Sequence, residues 1–303
     1  MSKRRGPAEP GPDLTGGSPI QVKRKSIIVL GVGACALVLG IGWVHRLHTT
    51  QSNAQLLTRF MSVKTAVDTY APLERDRVLT CLAAHGFDVD APLTAQSTRS
   101  ADSLADLPDP LTRADAAQRG YSPVDVIADP LPTALESLPE PERSAAQIAL
   151  DGDDQSPRQS VIVDGTPVSA SNEGCVASAR ADIYGSVQNF LSLAYGTMPA
   201  QIASQSAEND SSYLAAVEAW AACMDDRGYD YDTPGDARSD ALARPREAEL
   251  GVATDDADCR HRSHVDDAYA TAADEAVRRW VLAHRDDVDD QYALLLSIDE
   301  RMP

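Results

Sequence analysis

Apolar positions recur at helical spacing over most of the chain's second half and over a short stretch near its start. Leu56, Phe60, Val63, Val67 and Tyr70 follow one another at intervals of 4, 3, 4 and 3, the mark of one buried helical face. Pro72 predicts an end to that helix, because a proline inside it removes a hydrogen bond and crowds the preceding turn. A second helix is then expected from about Leu73 to His85, with Val78, Cys81 and Leu82 facing inward. From Ala91 to Gly174 the periodicity fails amid prolines, with short helices expected only at 112–119 and 142–150. "SVIVDGTPVSA" at 160–170 predicts a hairpin, since Asp-Gly between β-branched residues is a specific turn signal. Helix is expected again from Glu173 to about Leu193.

Tyr213, Val217, Trp220 and Met224 then repeat at 4, 3 and 4, with Asp210, Ser211 or Ser212 placed to cap that helix. Residues 256–285 predict one long helix whose inner face carries Val265, Tyr269, Ala272, Ala276, Trp280 and Ala283. Val288, Tyr292, Leu295 and Leu296 extend the pattern to the C-terminus. The expected fold is mostly α with one small β-hairpin.

A different pattern precedes all of this. "SIIVLGVGACALVLGIGWV" runs from Ser26 to Val44 without a charge. Nineteen residues at about 1.5 Å rise just reach across the roughly 30 Å hydrocarbon core of a bilayer. Lys23, Arg24 and Lys25 precede the run directly and only Arg46 follows closely, so the positive-inside rule puts the N-terminus in the cytoplasm. Trp43 stands where an interfacial aromatic belongs. A cleaved leader would want a small-x-small site, which "GWVHRLH" does not offer. A lipid anchor would use Cys35, which instead sits in the middle of the run.

The expected organisation is a disordered cytoplasmic tail at 1–25, a single transmembrane helix at 26–44, and extracytoplasmic units at 45–205 and 206–303 packed as one domain. The expected location is the cell membrane.

Charge narrows the partners. The chain carries 27 basic and 46 acidic residues, and only two of the acids lie in the first 44 positions. The part expected outside is therefore strongly acidic, and such a surface repels phosphate backbones, so nucleic acid is excluded as a partner.

Four cysteines lie beyond the apolar run: Cys81, Cys175, Cys223 and Cys259. Their even number and extracytoplasmic placement argue for two disulfides. Four cysteines allow three connectivities, and an internal repeat suggests one of them. "CLAAHGFDVDAP" from Cys81 aligns with "CMDDRGYDYDTP" from Cys223. Each such cysteine is followed by one further cysteine, which favours Cys81–Cys175 and Cys223–Cys259.

The repeat also reads as a helix stop. With Gly86 and Gly228 as the left-handed residue after the helix, Leu82 and Met224 fall on its last turn, and Phe87 and Tyr229 fall just beyond it. Those are the positions whose apolar contact accompanies a Schellman motif. His85 and Arg227 place a cation at the negative end of each helix. Asp88, Asp90, Asp230 and Asp232 suit turns ahead of Pro92 and Pro234.

Asp225, Asp226, Asp230, Asp232 and Asp236 lack the spacing of a calcium loop. Cys259, His261 and His264 are close in sequence, but no C-x2-C pair accompanies them as a zinc site would require. The chain contains no nucleophile elbow, no phosphate-binding glycine loop and no H-E-x-x-H. No cofactor, metal or catalytic residue is expected.

"AWAACMDDRGYDYDTP", "DADCRHRSHVDDAY" and "GTPVSASNEGCVASARADIYG" resemble a group of secreted or lipid-anchored helical proteins of actinobacteria. That group carries W-x-x-C-M-x-x-x-G-Y-x-Y at a helix end, a later A-x-x-D-x-x-C helix, and an upstream G-C-x-x-x-A element. The resemblance covers roughly residues 55–295. It implies a helical extracytoplasmic domain with paired cysteines and attaches no activity to it. This chain departs from the group in having an anchor where the others have a leader, and "DADC" where a spaced Ala-Asp-Cys element is usual.

The function expected from these features is a membrane-anchored, non-catalytic envelope or partner-binding module. The alternative is an envelope hydrolase drawing its acids from the Asp-rich turns.

Overall fold

A computed structural model describes residues 35–89, 103–107, 109–122 and 130–302. The chain divides into two units, residues 1–48 and 49–303. The tail at 1–25 and the first half of the apolar run, 26–34, lie outside the described residues. From residue 35 the run is helical, as the opening of α1 (Cys35–Ala84). Among the described residues no helix is long and apolar enough to cross a membrane.

The second unit is mostly helical, with one two-stranded sheet. Its first element is the remainder of α1, which runs through Pro72 without interruption. The expected break there does not occur, and the reason is local. Pro72 removes the hydrogen bond to the Asp68 carbonyl, but both residues are exposed, so water can serve that carbonyl. Val78 and Leu82 are buried on one side of the proline, as Leu56, Phe60, Val63 and Ala66 are on the other. Burying a side chain of this size contributes roughly 1.5–3 kcal/mol, so packing on both flanks outweighs the single lost bond.

Short helices follow: α2 (Arg113–Arg119), α3 (Pro130–Glu136) and α4 (Glu142–Asp151). The hairpin then pairs β1 (Arg158–Val163) with β2 (Thr166–Ser171), antiparallel, Val163 opposite Thr166. Asp164 and Gly165 both have positive φ, as a two-residue type I′ turn requires.

Two predicted helices prove to be pairs. The one expected from Glu173 to Leu193 divides into α5 (Gly174–Tyr184) and α6 (Val187–Gly196). Gly185 is left-handed and ends the first, and the Ser186 side chain accepts from the Asn189 N–H to start the second. The helix expected over 256–285 divides into α10 (Arg246–Ser263) and α11 (Val265–Ala283), with His264 left-handed between them.

Between these pairs lie α7 (Met198–Ser204), α8 (Ser211–Asp225) and α9 (Pro234–Leu242). Asp210 caps α8, accepting from the Ser212 and Tyr213 N–H groups. The chain ends in α12 (Arg285–Asp299), which buries Val288, Leu295 and Ile298 and leaves Leu296 on the exposed side.

Four apolar clusters hold this unit together. Leu56 and Phe60 of α1 pack with Val277 and Val281 of α11. Val63 and Ala66 pack with Ile183, Phe190, Leu295 and Ile298. Val78 and Leu82 pack with Leu131, Leu150, Cys175 and Ala179. Tyr121 packs with Trp220, Met224, Val252 and Cys259. Residues 49–205 and 206–303 thus share common cores, and the part of α1 from Leu56 on touches three of them.

Candidate functional site

The residues singled out by the repeat lie at two helix ends. At the first, the Phe87 N–H donates to the Leu82 carbonyl at 2.9 Å and the Gly86 N–H to the Ala83 carbonyl at 2.9 Å. At the second, Tyr229 donates to Met224 at 3.1 Å and Gly228 to Asp225 at 2.8 Å. This is the paired bonding of a Schellman motif, with Gly86 at φ 89° and Gly228 at φ 86°. Leu82 and Met224 are fully buried. Phe87 joins the cluster of Leu82, and Tyr229 that of Met224.

At either glycine an added Cβ would meet nothing within 4 Å, so glycine is required there by backbone conformation alone. Gly86→Ala and Gly228→Ala are therefore expected to lower stability by about 1–2 kcal/mol each, the cost of a left-handed alanine. Urea denaturation followed by circular dichroism measures this; a loss below about 0.3 kcal/mol, the scale of ordinary surface changes, would show that the helix end does not need that conformation.

Each helix end is tied down covalently. Cys81 bonds Cys175 at the start of α5, and Cys223 bonds Cys259 on α10, the pairing that the repeat suggests. In both bridges the later cysteine is fully buried and the earlier one half-buried.

The second tie has a polar rung beside it. Trp220 stands three residues before Cys223, and Asp256 three before Cys259. The Trp220 indole N–H donates to Asp256 Oδ1 at 2.8 Å. The Tyr121 hydroxyl donates to Oδ2 at 2.8 Å, and Arg260 Nε lies 2.9 and 3.0 Å from the two oxygens. Arg260 in turn pairs with Asp266 at 2.7 Å, across the α10–α11 junction.

Asp256 is wholly buried, and its carboxyl is pushed up by that burial against the pull of Arg260 and of the Tyr121 and Trp220 hydrogen bonds. Every partner is a donor and no face is open to solvent, so the group is built to hold α2, α8 and α10 together, not to meet a substrate.

Sequence reasoning gave Asp256 no role of its own. Ala253, Asp256 and Cys259 form an A-x-x-D-x-x-C element on α10. Its alanine and aspartate are both buried.

The acids of the turns go elsewhere. Asp225, Asp226, Asp230, Asp232 and Asp236 are exposed, as is Asp88, while Asp90 and Pro92 fall outside the described residues. The turn ahead of Pro234 is closed by Thr233 and not by an aspartate. Thr233 Oγ1 accepts from the Asp236 N–H at 3.2 Å, and Asp236 Oδ2 accepts from the Thr233 N–H at 3.1 Å, a capping box for α9.

Arg227 bonds Asp255 and reaches Asp258 at 3.4 Å, while the Tyr229 hydroxyl donates to Asp255 at 3.1 Å. His261 and His264 are exposed, and Cys259 is engaged in its disulfide. Among the described residues, the one place where three potential ligand atoms converge is Cys81, His85 and Cys175.

A groove of about 290 Å³ opens between the hairpin and α5, lined by Arg158, Ser169, Ser171, Glu173 and Arg180. Its cations are already engaged. Arg158 donates to Ser169, and Arg180 pairs with Glu74 at 2.8 Å and lies over the Phe190 ring at 3.7 Å.

Comparison with protein-family models, with curated proteins and with solved structures found no match.

Proposed function

We propose that this chain is a single-pass membrane protein whose residues 1–25 lie in the cytoplasm and whose residues from 45 on act outside it. There the helical domain serves as a non-catalytic cell-envelope or partner-binding module. The observation that carries this reading is the pair of disulfides, each with one cysteine buried in an apolar core, since such bonds persist in oxidising compartments and are rare in the cytosol. The uncharged run Ser26–Val44 behind Lys23, Arg24 and Lys25 supports the anchor and its orientation. The resemblance to secreted and lipid-anchored proteins agrees with it. The acid surface favours a protein partner over nucleic acid or an anionic lipid face.

Reporter fusions test the arrangement. Alkaline phosphatase, which matures only outside the cytoplasm, is expected to be active when fused after Pro303, and a cytoplasmic fluorescent reporter to be bright when fused before Met1. The opposite pattern, or phosphatase activity released in soluble form, would overturn the anchored topology. In-cell crosslinking of the outer domain then identifies its partner.

A further inference from the structure

The two copies of the repeat differ at one chemically decisive position. His85 stands four residues after Cys81, and Arg227 four after Cys223. Four residues is one helical turn, so His85 lies beside its own disulfide. Arg227 is committed to Asp255 and Asp258, and a guanidinium does not ligate metals. His85 is exposed, and its ring places a nitrogen within 4.8 Å of both Cys81 Sγ and Cys175 Sγ.

The geometry points to a metal site concealed in the first disulfide: once Cys81–Cys175 is reduced, the two thiolates and His85 form a three-ligand pocket for one thiophilic divalent cation of the zinc type. The second disulfide has no such capacity.

An external dithiol reduces the S–S bond, giving two cysteine thiols and leaving its own sulfurs joined. The cation then displaces the two thiol protons to solvent, forms two metal–sulfur bonds, and takes a third bond from a neutral ring nitrogen of His85. The two thiolates neutralise the ion's charge, and the fourth position stays open on the exposed side of His85.

Two sulfurs on one tetrahedral zinc stand about 3.8 Å apart, given bonds of about 2.3 Å. Reaching that from a disulfide needs only a turn of the half-buried Cys81 side chain, because the backbones already approach to a Cα–Cα distance of 5.6 Å. A covalent tie between α1 and α5 is thereby exchanged for a metal tie between the same helices. The inference is independent of where the chain resides; in an oxidising compartment the disulfide is the resting form.

The test uses the full chain carrying Cys35→Ala, reduced with a phosphine and titrated with Co²⁺, whose thiolate charge-transfer bands report sulfur ligation. One equivalent of Co²⁺ is expected to bind, with displacement by Zn²⁺. Binding should vanish in Cys81→Ala/Cys175→Ala and persist in Cys223→Ala/Cys259→Ala. His85→Ala should weaken it at least tenfold, and His85→Cys, which restores a ligand, should recover it. Circular dichroism on the same samples follows the fold. Binding that survives loss of Cys81 and Cys175, or that ignores His85→Ala, overturns the proposal. So does a reduced chain that unfolds and takes up no cobalt, because the site needs the helix that sets Cys81 against His85.

Discussion

Asp256→Ala is expected to lower the stability of the fold by roughly 3–5 kcal/mol, the usual cost of removing one partner of a buried ion pair. The deletion leaves three donors, on Trp220, Tyr121 and Arg260, without their acceptor. Trp220 is fully buried and Arg260 largely so, which leaves water little access to replace the lost oxygens. Asp256→Asn is the informative companion. One of its polar atoms can still accept from Trp220 and Arg260, but the amide NH2 then meets Arg260 Nε, donor against donor. An intermediate loss is expected, with Tyr121→Phe smaller still at about 1–2 kcal/mol.

The pH profile carries a second signature. A carboxyl held above its ordinary value by burial contributes most below the unfolded pKa, and that contribution declines as pH rises through the raised folded value. The alanine variant should lack the decline. Urea unfolding at several pH values measures both effects. A loss under about 1 kcal/mol for Asp256→Ala, the net worth of one ordinary hydrogen bond, would show that the network contributes little to holding α8 and α10 together.

That network marks the limit of what the sequence makes legible. The hairpin turn at Asp164–Gly165 and the stops at Gly86 and Gly228 are written locally, because each needs a positive φ that few residues supply. The repeat suggests the cysteine pairing that the structure has, among the three that four cysteines allow. The helix breaks at Gly185 and His264 leave a weaker local mark. Tyr184 and Val187 on either side of Gly185 are both buried in one cluster, so the apolar stripe continues across the turn. His264 is left-handed without being glycine. What holds it there is tertiary: Val265 is buried beside it, and Arg260 reaches over the junction to Asp266.

Pro72 failed as a stop for the converse reason, since burial on both flanks overrides a local preference. Asp256 is one acid among many on an acidic chain, and periodicity cannot separate it from its solvated neighbours. Only its spacing from Cys259, matched by that of Trp220 from Cys223, betrays it.

Removing the first disulfide, as Cys81→Ala/Cys175→Ala, should cost more than removing the second, as Cys223→Ala/Cys259→Ala. The sequence separations are 94 and 36 residues, and loop-closure entropy gives about 4.7 and about 3.8 kcal/mol respectively. What remains after each cut widens the gap. Without Cys223–Cys259, α8 and α10 are still joined by Trp220 and Asp256 three residues away, and by Arg227 and Tyr229 on Asp255. Without Cys81–Cys175, the end of α1 keeps the apolar contacts of Val78 and Leu82 with α3, α4 and α5, the exposed pair of Arg77 with Asp182, which is worth little, and, two helical turns before Cys81, Glu74 paired with Arg180 of α5.

The first variant should therefore unfold at lower urea than the second, and Asp256→Ala added to the second should cost more than in the intact chain, because it then removes a second tie between α8 and α10 and leaves the Arg227 and Tyr229 contacts with Asp255. Alanine avoids placing a hydroxyl in the buried positions of Cys175 and Cys259. Equal midpoints for the two variants, or strict additivity with Asp256→Ala, would mean that the polar rung does not share the disulfide's work, and that the bridges act on the unfolded chain alone.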